Sequence, residues 1–220
     1  MWRVLLPLVM AMMGPVEPAQ ELLYVRDGWV WGKESGQLWE GEWPTRCADG
    51  SVVYVHEGDL WRDGVRIEAT AESEHSPSCV EDILYDADGY VWRYHEGERE
   101  MLWRGENPAV SPDGRIAYRD WFQGVQAVYV WDDGDVAMTY PGNGYHPDWG
   151  EDGKLYVAGG ANIGYWDGAM HWLDINGTNP CWTPDGLYYV SGDGYPYHVT
   201  QWNIYLDGEV VVEDAWQPAW

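Results

Sequence analysis

The chain has one phenylalanine, three cysteines and only 12 lysines and arginines among its 220 residues. Each shortage excludes something. Twelve cationic against 37 acidic side chains leave a formal net charge of -25. Nucleic acid and anionic membrane surfaces both require basic patches, so neither suits this chain as a partner. Lys33 and Lys154 are the only lysines. The charge fits solubility or a salty medium, and partners that are cationic or neutral. Three cysteines do not make a disulfide framework. Cys47, Cys79 and Cys181 read either as one disulfide with a thiol left over or as three small buried apolar residues. After the first twenty residues there is no amphipathic helical segment, and no run is apolar enough to cross a bilayer, which takes roughly 20 residues. The sequence also contains no H-E-x-x-H, no Gly-rich phosphate loop and no nucleophile elbow. An enzyme is therefore the less favoured class, and no cofactor is expected.

The N-terminal residues 1–19 read as a signal peptide. Arg3 supplies a positive charge, and Val4 to Met13 form about ten largely apolar residues, the length of an h-region. Gly14 and Ala19 offer small residues for cleavage. This places the mature chain, residues 20–220, in the periplasm or outside the cell.

What is abundant is tryptophan (17), tyrosine (16) and glycine (27), a mixture that favours short strands joined by tight turns. A phrase of the form P-x-x-x-x-D-G recurs. It starts at Pro44, Pro108, Pro147 and Pro180, and a degenerate copy at Pro77 has Ile83 in place of the glycine. A sixth copy begins in Trp216-Gln217-Pro218-Ala219-Trp220. After each phrase comes a strand ending near Tyr54, Tyr85, Tyr118, Tyr156 or Tyr189, and Leu22 to Val25 is the same strand without its phrase. A second strand then carries an aromatic: Trp31, Trp61, Trp92, Trp131, Trp166 or Tyr205. Asp-Gly hairpins and a last strand complete each unit. Four short strands in about 31 to 39 residues make a propeller blade. The fold class is therefore all-β, a six-bladed β-propeller in one domain. The chain starts on strands two to four and ends on a lone first strand, so the two ends join to close the ring and leave no sheet edge.

At Asn107 to Tyr118, N-P-A-V-S-P-D-G-R-I-A-Y, and at Asn179 to Val190, N-P-C-W-T-P-D-G-L-Y-Y-V, the sequence resembles the TolB-like propeller repeat with its S-P-D-G signature, a WD-repeat-like type. The resemblance covers about residues 22–220 and implies a six-bladed ring. It does not choose among scaffolds, substrate filters and lyases. The α/β domain that precedes the TolB propeller has no counterpart here, which argues against the TolB role itself.

The residues before the six prolines, Trp43, Ser76, Asn107, His146, Asn179 and Gln217, are expected at the mouth of the central channel, five of them polar. Loop extensions in units four to six add Trp121, Asn162, Tyr195, Tyr197, His198 and Trp202 on the same face, as an aromatic, histidine-bearing lip. Trp121 and Trp202 lie outside the repeat, where an indole can stack on a sugar ring or a partner's side chain. His146 and His198, with Asp148 or Asp193, are the only candidates for a divalent metal, and the lyases among the resembling propellers use histidines in this way. The reading that follows is a monomeric, non-catalytic binding or scaffold module for a protein or glycan. Its alternative is a metal-assisted polysaccharide lyase or hydrolase on the same face.

Overall fold

The computed structural model describes residues 21–140, 144–192 and 201–219; the expected signal segment lies outside them. The described residues form six four-stranded antiparallel sheets arranged as a ring, and no helix. Blade 1 holds β1 (Leu23–Arg26), β2 (Trp29–Gly32) and β3 (Gly36–Glu40). Blade 2 runs through β4 (Glu42–Arg46), β5 (Val52–His56), β6 (Asp59–Arg62) and β7 (Val65–Glu68). Blade 3 has β8 (His75–Cys79), β9 (Ile83–Ala87), β10 (Tyr90–His95) and β11 (Glu98–Arg104). Blade 4 comprises β12 (Glu106–Val110), β13 (Ile116–Phe122), β14 (Val125–Asp132) and β15 (Asp135–Tyr140). Blade 5 comprises β16 (Gly144–Trp149), β17 (Leu155–Gly159), β18 (Asn162–Trp166) and β19 (Met170–Asn176). Blade 6 has β20 (Thr178–Thr183), β21 (Gly186–Ser191), β22 (Asn203–Leu206) and β23 (Glu209–Val212), and β24 (Trp216–Ala219) returns to complete blade 1 against β1. Leu23 faces Ala219 and Val25 faces Trp216 in that closing pair.

The second strands of the blades do not alternate, because the blades stack face to face and cover both of their sides. Second strands such as Val52–Val55 and Leu155–Ala158 are buried along their whole length, as a strand covered on both faces must be. The apolar clusters lie at the blade junctions. Leu23, Val30, Val52 and Tyr54 join blades 1 and 2, and Val53, Val55, Ile83 and Tyr85 join blades 2 and 3. Ala117, Val130, Leu155 and Val157 join blades 4 and 5, Tyr156, Ile163 and Leu187 join 5 and 6, and Leu22, Tyr188 and Ile204 join 6 and 1. Gly41 and Gly105, three residues before their prolines, sit at φ 152° and 156°, where a Cβ would lie 2.7 Å from the ring of Tyr54 or Tyr118. Chain and tyrosine could not approach so closely with any larger residue.

The register corrects one sequence expectation. Tyr24, Tyr54 and Tyr85 do face Trp31, Trp61 and Trp92, but Tyr118 faces Tyr129 and Tyr156 faces Tyr165. Trp131 and Trp166 instead lie opposite Ile116 and Leu155. What the repeat requires is an aromatic ring at the paired site, and tyrosine serves.

Cys47 and Cys79 form a disulfide between blades 2 and 3, while Cys181 is a buried free thiol. The bridge spans 32 residues, one repeat, and closing a loop of that length removes unfolded-state entropy worth about 4 kcal/mol. The Cys47→Ala/Cys79→Ala variant is expected to lose stability of that order in denaturant unfolding, with unchanged far-UV circular dichroism.

Candidate functional site

Each innermost strand carries a bulge at its proline. In β4, Glu42 pairs with Val55 and Thr45 with Val53, so Trp43 and Pro44 together oppose one residue. The same shift occurs in β8, β12, β16, β20 and β24. At every bulge the residue before the proline is left-handed: Trp43, Ser76, Asn107, His146, Asn179 and Gln217 have φ between 47° and 53°. A bulge bends its strand and re-aims a side chain, and six together bring these residues around one central cavity of about 190 Å3.

The cavity mouth is not an open polar funnel. Trp43 lies across it, its ring stacked on His146 from the blade three positions away (centroids 6.0 Å, interplanar angle 22°). Trp216 meets Trp43 edge-on at 6.1 Å, and Tyr145 meets His146 edge-on at 5.4 Å. Polar members of the ring hold one another. Gln217 Oε1 accepts the Trp43 backbone N–H at 2.8 Å, Asn107 Nδ2 donates to Ser76 Oγ at 2.7 Å, and Thr178 Oγ1 donates to Asn179 Oδ1 at 3.0 Å. Asn107 Oδ1 and Gln217 Nε2 are buried with no partner among the described residues.

Desolvation dominates the titration of this region. Burial pushes His146 down to about 4, with the nearby Arg119 guanidinium acting in the same direction, so the imidazole is neutral at pH 7. Two residues on, Asp148 keeps some accessible surface within the cavity but is surrounded by protein. Burial raises it to about 7, against hydrogen bonds from the Trp182 N–H (3.1 Å) and the Trp149 N–H. Burial likewise pushes the Cys181 thiol up, and the Asp148 carboxylate adds to that. Beside the mouth, Asp86 is 7 % exposed and is raised to about 6 by burial, opposed by the Asn107 N–H at 3.0 Å and by His75.

The lip residues are spread more widely. Trp121, half exposed, belongs to β13, which extends with β14 to a tight turn at Gln123 and Gly124. The expected loop extension of blade 4 is thus a longer hairpin, because strand pairing satisfies its backbone groups. Asn162 is an exposed strand residue paired with Gly159 and Asn176. Trp202 is exposed and stands over a second groove of about 370 Å3, which it lines with Thr178, Asn179, Val190 and Trp216. Asp193, Tyr195, Tyr197 and His198 lie outside the described residues. No group of three His, Cys, Asp or Glu that could hold a metal occurs among the described residues. Trp216 and Thr178 were missed from sequence. They share the position two before the proline with Glu42, His75, Glu106 and Tyr145, so aligning the repeats one residue further would have found them.

No family model matches the sequence, and no curated protein matches it either. Among solved structures, a protein of unknown function from Bacteroides caccae superposes with TM-score 0.60 at 13% identity, over 90% of this chain and 94% of that one. A luciferin-regenerating enzyme gives 0.58 at 15% identity (78% and 80% covered), and a gluconolactonase from Xanthomonas campestris gives 0.54 at 15% (91% and 86%). These likenesses show the fold alone. The chain is a six-bladed β-propeller.

Asp86 gives a pH prediction. Its folded pKa, about 6, lies above the ordinary 3.8, so the folded state holds the proton more tightly and ionisation costs stability as pH rises through that window. The cost is absent well below 3.8, grows as pH rises from there, and is complete above about 6. Asp86→Asn keeps an acceptor for the Asn107 N–H; it is expected to stabilise the protein by about 3 kcal/mol at pH 8 and to have almost no effect at about pH 3, measured by urea unfolding at both values.

Proposed function

We propose that the chain is a secreted or periplasmic, non-catalytic propeller of TolB-like type that binds a partner on the face around its channel mouth, a glycan in preference to a protein. The observation that carries this reading is the groove beside the mouth. In a chain of net charge -25 its lining among the described residues contains no ionisable side chain, only Thr178, Asn179, Val190, Trp202 and Trp216. Two indoles with an amide and a hydroxyl between them match a neutral pyranose, whose apolar face stacks on an aromatic ring while its hydroxyls meet polar groups. The Trp43–His146 stack across the channel favours a ligand resting on the face over one passing into the axis. The disulfide is compatible with an oxidising compartment, and no helix among the described residues is long and apolar enough to cross a membrane.

The test is a glycan-array screen of residues 20–220, followed by calorimetry with the best hit. Trp202→Ala is expected to weaken binding about tenfold, a loss of about 1.4 kcal/mol, with an unchanged melting temperature. A glycan bound equally well by Trp202→Ala, or no glycan bound at all, overturns the reading.

A metal-assisted lyase or hydrolase is the second reading. His146 and Asp148 favour it, because two titratable groups in one cavity have their affinities for protons moved in opposite directions, a common property of catalytic sites. It requires stoichiometric metal in the purified protein and loss of polysaccharide cleavage on chelation. Metal-free protein with no cleavage removes it.

A further inference from the structure

The six blade junctions are not built alike. Two residues after the motif proline, blades 5 and 6 place an indole between themselves and the preceding blade. Trp149 is buried there, donates from Nε1 to the Ala109 carbonyl at 3.2 Å, and carries the Arg115 guanidinium of blade 4 at 4.2 Å above its ring. Trp182 stacks on Tyr156 at 5.1 Å. At the junction of blades 3 and 4 the same position is Val110, and the position matching Arg115 is Leu84, because the blade 3 phrase reads Asp82-Ile83-Leu84 where blade 4 reads Asp113-Gly114-Arg115. Neither half of the cation–indole pair is present. Trp103 of blade 3 meets Tyr118 and Trp131 of blade 4 at 5.4 and 5.8 Å, but no cluster of fully buried apolar residues among those described bridges these two blades, in contrast to the other five junctions. In its place is a groove of about 550 Å3, opening between the first turns of the two blades and so on the face opposite the channel mouth.

Its chemistry has two layers. The floor is apolar and aromatic: Leu84, Val110, Ile116 and the stacked pair Trp103–Trp131 (5.8 Å, 27°), with Trp103 Nε1 buried and unpartnered among the described residues. The rim carries four carboxylates, Glu81, Asp82, Glu100 and Asp113, against one guanidinium, Arg93. Arg93 pairs with Glu100 and reaches Asp82 at 3.9 Å, and Asp113 is held by Arg115 at 3.0 Å. Even with both arginines counted, the rim keeps an excess of negative charge.

We propose that this groove is a docking site for an arginine side chain presented by a basic segment of a partner protein. Charge complementarity selects a cation, and the aromatic floor selects one with a flat face and an aliphatic stem. Guanidinium meets both demands better than ammonium, since it is planar and more weakly hydrated. Among the described residues the chain uses this contact three times within itself, at Arg115 over Trp149, at Arg99 over Trp92 (4.8 Å) and at Arg26 over Trp31 (5.8 Å). The partner's arginine supplies at the junction of blades 3 and 4 what Arg115 supplies at the next one.

The experiment is calorimetric titration of the whole protein with a short peptide amide of alternating glycine and arginine, and with its lysine counterpart. Wild type is expected to bind the arginine peptide more tightly than the lysine peptide. Val110→Trp installs the residue that the repeat itself carries in blades 5 and 6; it is expected to fill the groove and weaken binding by about tenfold or more, with near-UV circular dichroism and melting temperature retained. Glu81→Lys, an exposed rim position, is expected to weaken binding several-fold and tests the same site should Val110→Trp not fold. The double variant Asp133→Asn/Asp135→Asn removes charge from an exposed hairpin of blade 4 outside the groove and is expected to bind as wild type does. The proposal is overturned by the absence of peptide binding, by a folded Val110→Trp or Glu81→Lys that binds like wild type, or by an equal loss in the hairpin control, which would make the attraction a general one to an acidic protein. Trp202→Ala, on the other face, leaves this binding unchanged, so the outcome is separate from that of the glycan test.

Discussion

The bulge at each motif proline is the constraint from which the centre of this molecule follows. A left-handed backbone costs a residue other than glycine about 1 kcal/mol or more, and here it occurs six times at the same point of the repeat. Asparagine and histidine tolerate that conformation better than most residues, which suits Asn107, Asn179 and His146; tryptophan does not, and Trp43 holds it nonetheless. The conformation persists because the surroundings fix it from both sides. The proline sets the next φ, and the paired second strand is buried along its length. In return, the bend turns six side chains toward the axis. The cavity, its neutral imidazole and its proton-holding carboxylate all depend on that bend.

Most of the architecture was readable because a propeller repeats its requirements. The phrase from proline to Asp-Gly marks both the first strand and the turn after it, so counting the prolines that open the phrase counts blades. The complementary chain ends announce the closing pair β24 and β1. Features that depend on which residue occupies an equivalent place were harder to read. Trp131 and Trp166 look equivalent to Trp31, yet the longer hairpin of blade 4 and the one-residue offset in blade 5 put Tyr129 and Tyr165 at the paired sites. The cysteines were ambiguous because pairing depends on the spacing of neighbouring inner strands, which brings Cys47 and Cys79 to a Cα separation of 4.8 Å and leaves Cys181 two blades away from Cys47 and three from Cys79. The ring of residues before the prolines was visible as a list, but its geometry was not. That Trp43 reaches His146 across the channel is a fact about the channel's width, and no spacing in the sequence encodes it.

Departures from the repeat carry the specific content of the chain. Where all units agree, as at the junction tyrosines, the residues hold blade to blade. Where units differ, surface chemistry changes locally: Trp216 in place of a polar or smaller residue gives the mouth an indole wall, and Val110, where blades 5 and 6 carry tryptophan, lines a groove on the far face. The two proposed sites lie on opposite faces and differ in electrostatics, one without an ionisable side chain among the described residues and one acidic. Occupancy of either proposed site would leave the other unobstructed.

The composite blade has a consequence for the order in which the chain folds. The strand that pairs with β1 lies nearly 200 residues downstream, between Trp216 and Ala219, so during synthesis blade 1 must wait with one edge open while blades 2 to 6 form. Contacts of such long sequence separation form slowly, and an open strand edge in the interval invites pairing with other chains. The middle of the ring, tied at Cys47 and Cys79, can become rigid early, whereas the seam can close only once the last strand has been made. Hydrogen exchange at the backbone amides of β1 would therefore mark the final step of assembly.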